Sequence, residues 1–224
     1  INQALGNLDQ AVENTLKSIK LDPFNHAAYL NLGVIYKNKG DLNNAIASTF
    51  QALKIRDDDY TAHLNLCIMY EELGNHQEAL DAAIAAKKLA PENTEIYNNL
   101  SLIYKNMGEL EQAISSAQKS LALNPEQYIT HMIVGTIHQD QGDFQKAFFS
   151  TEYSIKLNPK NSQAYVNMGS ICEDLGDTGG AINMTLKALE IDSECPKANL
   201  NCGIYYCREG KYHKAITYLQ KALK

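Results

Sequence analysis

Long apolar runs are missing from this chain, and none approaches the roughly 18 residues of a membrane-spanning helix. Membrane insertion is therefore not expected. Basic charge is also short. Twenty Lys and Arg stand against 26 Asp and Glu, for a formal net charge of −6. A protein held on phosphates needs a basic face, so nucleic-acid binding is not expected either. The five cysteines are odd in number and include no CxxC pair. That suits unpaired thiols in a reducing compartment better than a disulfide framework, and a cytoplasmic location is expected. No nucleophile elbow, P-loop or HExxH motif occurs. The segment is expected to carry no catalysis, cofactor or metal. Its start, "INQALGNL", has neither the basic n-region nor the apolar core of a signal peptide. It also lacks Met, and a piece of a longer protein is expected.

What is present is periodicity. Gly6, Gly40, Gly74, Gly108, Gly142, Gly176 and Gly210 stand 34 residues apart. Ala11, Ala45, Ala79, Ala113, Ala147, Ala181 and Ala215 follow them at a fixed offset. Repeats of this length are single supersecondary units that bury their apolar faces only by stacking.

One unit, 26–59, illustrates the physics. Apolar spacing predicts a helix A over about 26–39, ended at Gly40, where glycine takes a left-handed conformation at least cost. Asp41 then caps a helix B that runs to about Ile55, and Asn7, Asn75, Asp143 and Asp177 stand in its register. Pro23, Pro91, Pro125 and Pro159 close units at matching places. The turn is short, so the two helices pack antiparallel. Gly33 lies inside helix A at a propensity cost of about 1 kcal/mol. Its counterparts are Cys67, Ser101, Gly135, Gly169 and Gly203, all small. Close approach of the two backbones explains them.

Tyr29, Leu32, Gly33, Tyr36, Gly40, Ala45 and Ala52 together resemble the signature of the tetratricopeptide repeat family. The resemblance extends over the whole chain. It implies an all-α, right-handed superhelical solenoid of antiparallel helix pairs, with a partial repeat in 1–25 and repeats at 26–59, 60–93, 94–127, 128–161, 162–195 and 196–224. Thirteen helices are expected, or fourteen with a short one at 1–5. The chain departs from the family in several places. It has no Trp; Thr15, Thr49, Ala83, Ala117, Thr151 and Thr185 replace the aromatic of helix B; and His63, His131 and Asn199 replace the first aromatic of helix A. His131 and His138 share a helix face, but a hydrogen-bonded structural imidazole is the simpler reading than a metal ligand.

One series asks for a function. Asn31 recurs as Asn65, Asn99, Asn167 and Asn201, broken only by Ile133. Helices A line the inner surface of such solenoids. An amide offers an acceptor and two donors, which complements a peptide bond. The array is similar to that of O-linked N-acetylglucosamine transferases, which implies a ladder that holds an extended peptide or protein segment by its backbone. Alternatively, each Asn bonds to the neighbouring repeat. Leu30, Leu64, Met132, Val166 and Leu200, with Val34, Ile68, Leu102 and Ile204, are candidates for side-chain pockets. Groove charges are Glu71, Glu72, Glu95, Asp140, Glu173 and Asp174 against Lys105, which favours a partner with basic residues unless these are merely solvated helix ends. Two alternative functions remain: the substrate-recruiting arm of a longer glycosyltransferase- or sulfotransferase-like enzyme, and a self-assembly module. For the latter, Tyr212, Ile216, Leu219 and Leu223 form an apolar stripe on the last helix, suited to end-to-end self-association.

Overall fold

A computed structural model describes residues 2–223, with side chains from residue 7 onward. The described residues form thirteen α-helices and no strand. Their contacts gather the chain into two compact units, residues 1–109 and 110–224. The first contains α1 (Asn2–Leu21), α2 (His26–Asn38), α3 (Leu42–Ile55), α4 (Tyr60–Glu72), α5 (His76–Leu89) and α6 (Thr94–Asn106). The second contains α7 (Leu110–Leu123), α8 (Tyr128–Asp140), α9 (Phe144–Leu157), α10 (Ser162–Asp174), α11 (Thr178–Ile191), α12 (Pro196–Arg208) and α13 (Tyr212–Ala222). Even-numbered helices are helices A; odd-numbered ones are helices B.

The turns from A to B follow from two residues each. Gly40 has φ of 79°, and Gly74, Gly108, Gly142, Gly176 and Gly210 lie between 72° and 82°. Gly40 N–H donates to the Lys37 carbonyl at 2.8 Å and Asp41 N–H to the Tyr36 carbonyl at 2.9 Å. This pair of bonds satisfies carbonyls that the end of α2 leaves open. Asp41 then accepts from Asn44 N–H at 3.1 Å and starts α3. Asp143 and Asp177 cap α9 and α11 in the same way, whereas Asn75 makes no side-chain cap bond. Gly6 differs. It lies inside α1, which is continuous over 2–21, so no separate helix forms at 2–5. Ile1, the expected start of that short helix, lies outside the described residues.

Each helix packs on its sequence neighbours within its unit, most extensively inside the A–B hairpins. Helices A also touch one another: α2 with α4, α4 with α6, α8 with α10, and α10 with α12. The buried faces divide by size. Helices B bury almost only Ala, Ser and Thr, as in Ala79, Ala82, Ala83 and Ala86 of α5. Helices A supply the bulk, including Leu66, Met69, Ile96 and Ile103. Large side chains therefore sit in shallow, small-residue surfaces, which draws the helices close.

The small residue of helix A has a specific partner. A Cβ on Gly33 would lie 2.5 Å from Thr49 Oγ1 and 3.1 Å from the Ala45 carbonyl oxygen. Gly135 faces Thr151 and Gly169 faces Thr185 in the same geometry. Thr49 and Thr185 send their hydroxyls to the carbonyls of Ala45 and Ala181, at 2.9 and 2.8 Å. Threonine has thus replaced the aromatic opposite Gly33, Gly135 and Gly169, whereas Leu219 stands opposite Gly203. Where helix A carries Cys67, the matching residue of α5 is Ala83.

A second departure also has a mechanism. Tyr97 donates its hydroxyl hydrogen to the Pro91 carbonyl at 2.9 Å, tying α6 to the loop before it. His131 reaches the Pro125 carbonyl at 2.8 Å and His63 the Asp57 carbonyl at 3.3 Å, each through Nε2. Asn199 reaches the Ser193 carbonyl at 3.2 Å. A carbonyl only accepts, so the position demands a donor at the end of a medium-length side chain rather than an aromatic ring.

Candidate functional site

The five asparagines occupy one register position on α2, α4, α6, α10 and α12. Asn31 is exposed; Asn65, Asn99 and Asn201 are half-buried; Asn167 is buried at 7% exposure. Asn99 donates to the Glu95 carbonyl of its own helix at 2.9 Å. Asn167 accepts from Gln163 Nε2 at 2.8 Å. The side chains of Asn31, Asn65 and Asn201 make no hydrogen bond among the described residues, and none of the five bonds to a neighbouring helix.

The apolar candidates separate by their neighbours. Val34, Leu102, Leu200 and Ile204 are exposed, while Leu30 and Ile68 are half-buried. Leu64 is buried at 5% exposure and Val166 at 0%. Both lie on helices flanked by a helix A on each side, α4 between α2 and α6 and α10 between α8 and α12. They are packing residues and not pockets. Asn167, beside Val166, is bonded by Gln163 one turn earlier, a contact that Asn65 on the equally flanked α4 lacks. Lys105 is half-buried.

The acidic residues at the ends of helices A are largely engaged. Glu72 pairs with Lys37 at 3.0 Å. Glu71 takes His76 Nδ1 and Asn106 Nδ2, each at 2.7 Å. Asp174 accepts from Gln139, and Glu173 pairs with Arg208. Four of these contacts, those of Lys37, Asn106, Gln139 and Arg208, join positions 35 apart on successive helices A. These groups are engaged with one another, while Glu95 is exposed. The residue types alone gave no sign of this; the 35-residue spacing of opposite or complementary side chains was the signal.

A buried ionic cluster lies elsewhere in the first unit. Asp59, 7% exposed, caps α4 by accepting from Thr61 N–H at 2.8 Å. It receives Arg56 at 2.6 Å, and His26 Nε2 lies 3.1 Å away. Burial opposes its charge, but the bonds from Arg56 and the backbone N–H groups of Thr61 and Ala62 outweigh that and hold its carboxyl below the usual range. Burial pushes the thiols of Cys67 and Cys202 up to about 12 and about 11. Such thiols stay protonated and unreactive at neutral pH. Among the described residues no group of three His, Cys, Asp or Glu is placed to hold a metal, and no helix is long and apolar enough to cross a membrane.

Comparison with known proteins gives a consistent picture. One tetratricopeptide repeat family model matches residues 94–127 and 162–195, and another matches 15–47. No curated protein sequence matches the chain. Among solved structures, a tetratricopeptide repeat protein from Parabacteroides merdae superposes with a TM-score of 0.85 at 21% identity, over 98% of this chain and 87% of that one. A chain of the Cut9–Hcn1 hetero-tetramer of the APC/C gives 0.83 at 17% identity, over 97% of this chain and 43% of that one. Yeast Tom70 gives 0.74 at 20% identity, over 94% of this chain and 45% of that one. This chain thus spans less than half the length of those last two.

Proposed function

Since the chain belongs to the tetratricopeptide repeat family, we propose that it is a protein-binding scaffold that takes an extended peptide or protein segment along the helices A of each compact unit. The observation that carries this is the state of Asn31, Asn65 and Asn201. Their amides reach solvent with every donor and acceptor unused. Each precedes an apolar residue by three positions, Val34, Ile68 and Ile204, of which the first and last are exposed. Residues three apart are neighbours on a helix surface. The unit offered to a partner is thus an amide beside an apolar patch. The amide reads a peptide bond and the patch takes a side chain. Asn99 and Leu102 extend the row on α6. Such a surface selects an extended backbone more than a sequence, and Glu95 beside it suits a basic residue of the partner.

The test uses the whole chain. A library of unstructured peptides supplies a binder, and Asn65→Ala with Asn99→Ala is measured against it. Each lost hydrogen bond is expected to weaken binding by about 1 kcal/mol, with little change in thermal unfolding. If unfolding shifts while affinity holds, the asparagines serve the fold and the reading fails.

A further inference from the structure

On the far side of α4 from Asn65 lies a second hollow. Residues 63, 66 and 70 of α4 stand about half a turn away from 65 and 68 around the helix axis. Phe50 and Leu53 of α3, His63, Leu66 and Tyr70 of α4, and Ala82 and Ala85 of α5 line a cleft of about 280 Å³. It adjoins a hollow of about 390 Å³ that shares His63, Asp81 and Ala85 with it. Phe50 is 42% exposed at its edge.

The chain itself shows what fits there. The repeat at 128–161 stands 68 positions further on, and His131 takes the place of His63. Both histidines bond the preceding loop carbonyl through Nε2. In that repeat Tyr153 covers the imidazole edge-on, with ring centroids 4.6 Å apart and planes at 70°. The position of Tyr153 is held in the first unit by Ala85, and that of Phe149 by Asp81. Elsewhere in the register of Ala85 stand Gln51, Lys119 and Lys187, all long. A ring seat that the molecule fills in one repeat is thus left open in another. Its surroundings are acidic. Asp57, Glu78 and Asp81 line the two hollows with Lys88 as the lining cation, and none of the three carboxylates is ion-paired among the described residues.

We infer that this cleft docks a partner segment which places a tyrosine or phenylalanine over His63, in the seat that Tyr153 fills over His131, with a lysine or arginine beside it for Asp81 and its neighbours. Aromatic anchors in desolvated pockets dominate interface energetics, edge-to-face pairing adds to their burial, and complementary charge at the rim selects the partner. The cleft is independent of the asparagine row, because none of the five asparagines lines it.

The experiment follows the His63 ring signal of the full chain by nuclear magnetic resonance. The probe is the amidated tripeptide Arg-Tyr-Arg, with Arg-Ala-Arg and Glu-Tyr-Glu as comparisons. A saturable ring-current shift is expected with Arg-Tyr-Arg, at a Kd on the order of 1 mM, as suits a single anchored side chain. Arg-Ala-Arg should give none. Asp81→Lys should weaken the interaction by about tenfold, and Ala85→Tyr should abolish it while circular dichroism stays unchanged. If Ala85→Tyr does not fold, Ala85→Gln, which copies Gln51, serves instead. An absent shift, equal shifts from the tyrosine and alanine peptides, or a shift that survives in the filled variant overturns the proposal. So does a concentration-dependent dimer that Ala85→Tyr dissociates while the peptide has no effect, since that would give the cleft to a second copy.

Discussion

At the residue scale, three glycines of helices A stand where a side chain would collide with a threonine of helix B. Adding a methyl to an exposed helical glycine gains about 1 kcal/mol of helix propensity. At Gly33 that gain meets an obstacle, because the new Cβ would sit 2.5 Å from Thr49 Oγ1 and 3.1 Å from a backbone oxygen. Overpacking of this kind costs about 1–3 kcal/mol, so Gly33→Ala is expected to destabilise. Gly33→Ala with Thr49→Ala reproduces the small-against-alanine pairing of Cys67 and Ala83 and should recover most of the loss. Urea unfolding of the two variants measures the difference, and a single variant as stable as the parent would show that Thr49 simply rotates away.

At the scale of the element, α4 begins on a carboxylate that is both buried and ionised. Its value is held below the ordinary one, so Asp59 stays charged in the fold where an unfolded chain would already bind a proton. The stability it contributes is therefore present above about pH 4 and is lost as pH falls through the lower, folded value. Asp59→Asn keeps a capping oxygen but not the charge. Its thermal midpoint should fall less between pH 5 and pH 3 than that of the parent, and parallel curves would refute the assignment. The cap also shows what was legible beforehand. Helix boundaries, the Gly-Asp turns and the thirteen-helix count could be read because each depends on residues adjacent in sequence. The caps of helices A, at Asn25, Asp59, Asn93 and Asn161, stand in plain register and belong to the same local class. The burial of Leu64 and Val166 was not readable. It depends on whether a helix A has a neighbour on both sides, and identical register positions answer that differently. The engagement of Glu71, Glu72 and Glu173 was hidden for a related reason, since their partners lie one repeat away.

At the scale of the whole molecule, the last helix leaves apolar surface in solvent. Tyr212, Ile216 and Leu223 of this region are 65%, 54% and 89% exposed. A cleft of about 480 Å³ beside them is lined by Pro196, Lys197, Leu200, Leu219, Ala222 and Leu223. Surfaces of this kind mark contacts with other molecules. The 224-residue chain is expected to associate in a concentration-dependent way, and Ile216→Glu should reduce that association in sedimentation. Leu219 is the poorer choice, because its Cγ would lie 2.5 Å from a Cβ on Gly203 and it packs inside the hairpin. A parent chain that stays monomeric at every concentration would exclude this surface as a self-association site. The packing within hairpins has a consequence for recombination. Gly33 and Thr49 travel together when repeats are exchanged at the loops before helices A. A crossover at the Gly-Asp turn would instead graft α5 onto α2, setting Gly33 against Ala83 and leaving a hole. The reciprocal graft would force Cys67 onto Thr49 and produce a clash. Duplication and deletion of these units are thus viable in one reading frame of the repeat and penalised in the other.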